Sequence, residues 1–100
     1  MRFVNFESIK NYYESYVFEQ ITRKYGETDL GNQPGALEDI ACLALNQLPA
    51  RYVRHSVDTA FYLSVEEKQE MIRAVELAVD RAADYVLQHP RLPLAERLPE

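Results

Sequence analysis

The chain has 100 residues, 47% of them hydrophobic, and a formal net charge of −5. That length and composition suit one globular domain, and the acidity excludes non-specific binding to DNA, RNA or acidic lipid, because nothing offsets phosphate repulsion over the surface at large. A single cysteine, Cys42, excludes a disulfide framework or a multi-cysteine zinc site within the chain.

A lone cysteine fits a reducing compartment. The opening residues, MRFVNFESIK, hold no apolar run of signal-peptide length. No stretch approaches the roughly 20 apolar residues of a membrane span. The expectation is a soluble, cytoplasmic chain with no membrane contact. A chain this short buries only about 60–65% of its unfolded surface, so a second copy of itself is the cheapest source of further burial.

In chain order, the first predicted element is a helix over residues 6–25. Phe6, Ile9, Tyr13, Tyr16, Val17 and Ile21 recur at three- and four-residue steps and line one face. Asn5 suits its N-cap, and Gly26 suits its end by taking the left-handed conformation. The loop GETDLGNQPG follows, rich in turn residues. The next run, ALEDIACLALNQL, predicts a short, heavily buried helix on Leu37, Ile40, Leu43 or Ala44, and Leu48. Cys42 is expected to pack inside it as a small hydrophobe, and Pro49 cannot continue it.

ARYVRHSVDTAFYL is ambiguous. Its β-branched and aromatic residues suggest extended structure, yet nothing marks a hairpin partner. It reads as a loop with a short extended piece or a helical turn. Ser64 and Glu67 then form a capping box opening a long helix to His89. Its seam is Ile72, Val75, Val79, Ala82 and Val86, with Met71, Ala78 and Tyr85 beside it. His89 sits where a cation favours the helix dipole. The expected architecture is all-α: three main helices, the C-terminal one long, in one domain over residues 1–89. A proline-rich tail occupies residues 90–100.

No phosphate-binding loop, dinucleotide fingerprint, nucleophile elbow or HExxH pair is present. Neither is a paired nucleophile and base, so no enzyme activity is expected. What stands out is a charge anomaly. Between Asp39 and Asp58 an acidic chain carries no carboxylate, while Arg51, Arg54 and His55 cluster after Pro49. If this segment is helical, Arg51 and Arg54 share a face; if it is extended, they project oppositely. Guanidinium grips phosphate or the O6/N7 edge of guanine and stacks on rings. Tyr52 and Tyr62 could stack on a base, and Asp58 could accept from the Watson–Crick edge of guanine. His55 is a weaker phosphate donor. The competing reading is structural: both arginines pair with Glu66 or Glu70 of the last helix.

The stretch LEDIACLALNQLPARYVRH resembles the core signature of the ComFB-like late-competence family. The features are Asp39–Ile40, Ala44–Leu45–Asn46, Leu48–Pro49 and Tyr52–Val53. The resemblance implies a small helical homodimer of bacterial cytoplasm. Some family members hold zinc with clustered cysteines; the loop after Tyr25 has none here, so no zinc site carries over. Others resemble receptors for cyclic dinucleotides, and the run YVRHSVDTAFYLS looks closest to that branch. The implied function is a non-enzymatic receptor for cyclic di-GMP, with cyclic di-AMP as second candidate, relaying to an unidentified protein partner. No cofactor is implied. A twofold dimer could present the same Arg and Tyr to both halves of a symmetric dianion, and clearing carboxylates would avoid repelling its phosphates. The alternative is a ligand-free dimeric adaptor of competence or pilus machinery.

Overall fold

The computed structural model describes residues 4–54 and 63–89. Among them are three α-helices: α1 (Tyr13–Tyr25), α2 (Ala36–Gln47) and α3 (Val65–Gln88). Single 3-10 turns occupy Phe6–Ser8 and Leu30–Asn32. Two short strands, β1 (Lys10–Asn11) and β2 (Tyr52–Val53), pair antiparallel. The fold is thus essentially all-α with a minimal ribbon. No helix among the described residues is long and apolar enough to cross a membrane.

The predicted first helix divides. Asn5 does cap, but its side chain accepts from Glu7 N–H and opens a 3-10 turn. The chain then runs extended through β1 before α1 begins. Phe6 is consequently 76% exposed and Ile9 is also exposed; neither shares the buried face of Tyr13, Val17 and Ile21. The start of α1 is set by Asn11. Its Oδ1 accepts from Tyr13 N–H at 3.2 Å, while its own N–H donates to Glu14 Oε2 at 3.1 Å. This is a reciprocal cap of the kind that satisfies amides a helix start leaves orphaned.

At the other end Gly26 stays right-handed, with φ −59°, contrary to the expected left-handed stop. Its N–H still donates to the Thr22 carbonyl, so the helical geometry simply runs out into the turn. Gly31 is the glycine that the reversal needs. A Cβ there would lie 2.5 Å from the carbonyl oxygens of both Tyr25 and Gly26. Gly35, at φ 79°, turns the chain into α2 in a conformation that only glycine adopts cheaply.

The three helices meet on Val17 of α1, Ile40 and Ala44 of α2, and Val79, Ala82 and Ala83 of α3, all fully buried. The alanines let backbones approach closely. On α2 the buried positions run Ala36, Ile40, Ala44 and then Leu48, a step of four that keeps one face inward. Ala44, not Leu43, fills the inner position. Cys42 lies about 200° round the helix from Ile40 and is exposed, which corrects its expected burial. On α3 the buried stripe is Met71, Val75, Ala78, Val79, Ala82, Ala83 and Val86. Val75, Val79, Ala82 and Val86 of the predicted seam are buried, while Ile72 and Tyr85, at the two margins of the stripe, are exposed. The Ser64 cap forms as predicted, its Oγ accepting from Glu67 N–H at 3.0 Å.

Candidate functional site

Pro49 follows a residue held extended, Leu48, at φ −98° and ψ 145°, as proline demands of its predecessor. The chain enters β2, with Lys10 opposite Val53 and Asn11 opposite Tyr52. Successive strand residues alternate faces. Val53 turns inward against the core, and Tyr52 is 68% exposed. The partner strand comes from the region read as the second turn of helix one, which is why no local hairpin signal marked it.

Arg51 is anchored by its backbone. Its N–H donates to Asn11 Oδ1 at 3.2 Å, and its carbonyl accepts from Tyr12 N–H. The same Asn11 oxygen that caps α1 therefore also fixes the arginine. The residue itself is exposed, and no carboxylate among the described residues forms an ion pair with its guanidinium. The expected alternative, pairing of Arg51 with Glu66 or Glu70, does not occur. Arg54 is exposed in the bend after β2. With the intervening backbone extended, the two arginines project oppositely rather than sharing a face.

Beside Arg51 lies a tyrosine pair. The rings of Tyr12 and Tyr16 meet edge to face, 5.5 Å between centroids, and their hydroxyls are 3.2 Å apart. Burial, then the hydrogen bond to Tyr16, pushes the Tyr12 phenol up to about 12. The Arg51 guanidinium is close enough to pull it the other way.

Further along α1 the same line of residues opens into a hollow of about 160 Å³ between α1 and α3. Tyr16, Glu19, Gln20 and Arg23 line one wall, and Ile72, Val75 and Glu76 the other. Gln20 is only 8% exposed. Its Oε1 accepts from the Arg23 guanidinium, and its amide N–H groups have no protein acceptor among the described residues.

Elsewhere, Asp80 Oδ1 accepts from Lys24 Nζ at 2.7 Å and from the Tyr25 hydroxyl at 2.9 Å, tying α1 to α3. The lysine's hydrogen bond holds the Asp80 carboxyl below its usual range. Cys42 borders a second hollow, about 290 Å³, with Asp39, Leu43, Tyr85, Val86 and His89. His89 ends α3 as expected: its Nδ1 donates to the Tyr85 carbonyl at 2.9 Å, and its ring stacks on Tyr85 at 4.1 Å. No group of three or more His, Cys, Asp or Glu among the described residues is arranged to hold a metal ion.

Of the sequence-predicted residues, Arg51, Tyr52 and Arg54 thus sit in or beside β2. His55, Asp58 and Tyr62 lie outside the described residues. Sequence reasoning missed Asn11, Tyr12, Tyr16 and Gln20. Two signals could have found them: the Asn11–Glu14 spacing, which matches a cap, and the four-residue steps from Tyr12 to Tyr16 to Gln20, which stack on one helix side.

The family model of the late competence development protein ComFB matches residues 10–90. The chain belongs to the ComFB family. The match starts at β1, takes in all three helices and spans the Arg51 region. No curated protein and no solved structure matches this ComFB-family chain.

Proposed function

We propose that this ComFB-family protein is a non-enzymatic receptor for a cyclic dinucleotide, cyclic di-GMP first and cyclic di-AMP second. It would act as a cytoplasmic homodimer and relay the signal to a protein partner. The observation that supports this reading most directly is Arg51. Its backbone is clamped at both polar atoms, its side chain is exposed, and no described carboxylate competes for it. A guanidinium carried on a fixed backbone in a stretch cleared of acids suits a phosphate dianion. Tyr52 offers an exposed ring for base stacking, with Arg54, His55, Asp58 and Tyr62 as further candidate contacts from sequence chemistry.

The adaptor reading has its own support: Val4, Phe6, Ile9 and Tyr52, in or close in sequence to the ribbon strands, are exposed apolar residues, and apolar exposure that joins into one patch suits protein contact. Calorimetry decides between them. Cyclic di-GMP is expected to give saturable heat with the native chain, and Arg51→Ala to lose that heat with an unchanged melting temperature. Absence of heat and of any melting shift with either dinucleotide would leave the adaptor. A variant that binds no ligand because it no longer folds would return Arg51 to a structural role.

A further inference from the structure

The hollow between α1 and α3 holds a buried amide whose N–H groups meet no acceptor among the described residues. Gln20 is nine-tenths buried, and its oxygen is already occupied by Arg23. Its two amide N–H donors are what it has left unengaged, with one further lone pair on the oxygen. Buried donors without acceptors are costly, so this one calls for a partner in the hollow. Arg23 adds a second donor at the same wall, and Glu19 and Glu76 add acceptors at the rim.

This mixture narrows the ligand. A simple anion would meet two carboxylates. A simple cation would meet Arg23. A planar edge carrying a carbonyl flanked by N–H groups meets neither objection: the carbonyl accepts from Gln20 and Arg23, and the N–H groups donate to the glutamates. Guanine carries that edge, with O6 beside N1–H and the 2-amino group. Adenine instead carries one donor and one acceptor on its edge, so it would engage one glutamate where the two adjacent donors of guanine engage both. The volume, about 160 Å³, is close to the roughly 150 Å³ that accommodates a single six-membered ring, so a base would enter edge first. Tyr16 lines the hollow and bonds Tyr12, whose other neighbour is Arg51. One tyrosine pair thus separates the hollow from the exposed guanidinium.

We infer that the hollow lined by Gln20, Arg23, Glu19 and Glu76 is a base-reading pocket that selects guanine over adenine. This rests on the nucleotide-receptor reading and adds the base specificity of the site, which Arg51 alone does not supply.

The test titrates cyclic di-GMP and cyclic di-AMP into the full chain, following the Gln20 side-chain amide by NMR and affinity by calorimetry. The expected result is a shift of the Gln20 amide with the guanine ligand and a preference for it of about tenfold or more. In Glu19→Gln/Glu76→Gln that preference should fall about tenfold, with the melting temperature little changed because both positions are exposed. If cyclic di-GMP binds while the Gln20 amide stays silent and the double variant keeps its preference, the pocket assignment fails and the receptor reading stands. If neither ligand binds, both fail.

Discussion

Helix α2 and strand β2 are neighbours in sequence, with Pro49 between them, and they are built on opposite terms. Helix α2 is short and aliphatic, and its inner face is closed by Ala36, Ile40 and Ala44. Burial holds it. Strand β2 is two residues long, one of them largely exposed, and it is held by a distant asparagine and a distant strand. Apolar contact dominates the first, and backbone hydrogen bonds dominate the second. The difference shows how a small domain can present an arginine: the core supplies stability, and the ribbon holds the side chain's base while leaving its head exposed.

That contrast can be broken first from the core side. Ile40 is fully buried where all three helices meet. Ile40→Ala should cost about 2–5 kcal/mol, a large share of a small domain's stability, read as a lowered urea midpoint. A loss well under 1 kcal/mol would mean the helices are not packed as described.

The ribbon gives the intermediate effect. Asn11→Ala removes the acceptor shared by Tyr13 and Arg51, so the α1 start and the arginine's backbone loosen together. A cost of about 1–2 kcal/mol is expected, with hydrogen exchange at the Arg51 amide rising well beyond what the global loss explains. Equal exchange changes throughout the domain would show that the ribbon and core unfold as one unit and that the distinction above is false.

The smallest effect is electrostatic. Asp80 is held below its ordinary pKa of 3.8 by the Lys24 hydrogen bond, with the Tyr25 hydroxyl adding to it. A depressed carboxyl contributes stability that is present above its unfolded pKa and is lost as pH falls through the folded value. The native chain should therefore lose a little more stability than Asp80→Asn between pH 5 and the acid limit, the difference staying under about 1 kcal/mol because the pair is solvent-exposed. Tyr12 runs the other way. Its pKa is raised from 10.0 to about 12, so the stability it lends is full below pH 10 and declines as pH rises from there toward 12. An alkaline melt of Tyr12→Phe that keeps the native slope would contradict this.

The legible parts of the sequence were those governed by neighbours along the chain. The Ser64 cap, the extent of α3, the Pro49 boundary and the inward face of α2 follow from spacing and local chemistry. The misread parts share a different character. Phe6 and Ile9 fit a helical period but belong to a turn and a strand approach, because Asn11 and Glu14 together start the helix later. Cys42 was placed inside by composition and outside by angle. Ile72 fits a heptad but lies at the margin of the buried stripe of α3. The Arg51 clamp could not be seen, since its partner stands 40 positions away.

By itself the sequence determined a helical chain, the bounds of its second and third helices, and an unusual carboxylate-free stretch around two arginines, since each of these depends on residues within a turn or two of one another. Only the tertiary structure decided that Tyr52–Val53 pairs with Lys10–Asn11, that Arg51 is held by its backbone with its head exposed, and that Gln20 is buried with no acceptor for its amide among the described residues. Those outcomes depend on which distant surfaces meet, and no local pattern encodes the meeting of two strands that a whole helix pair separates.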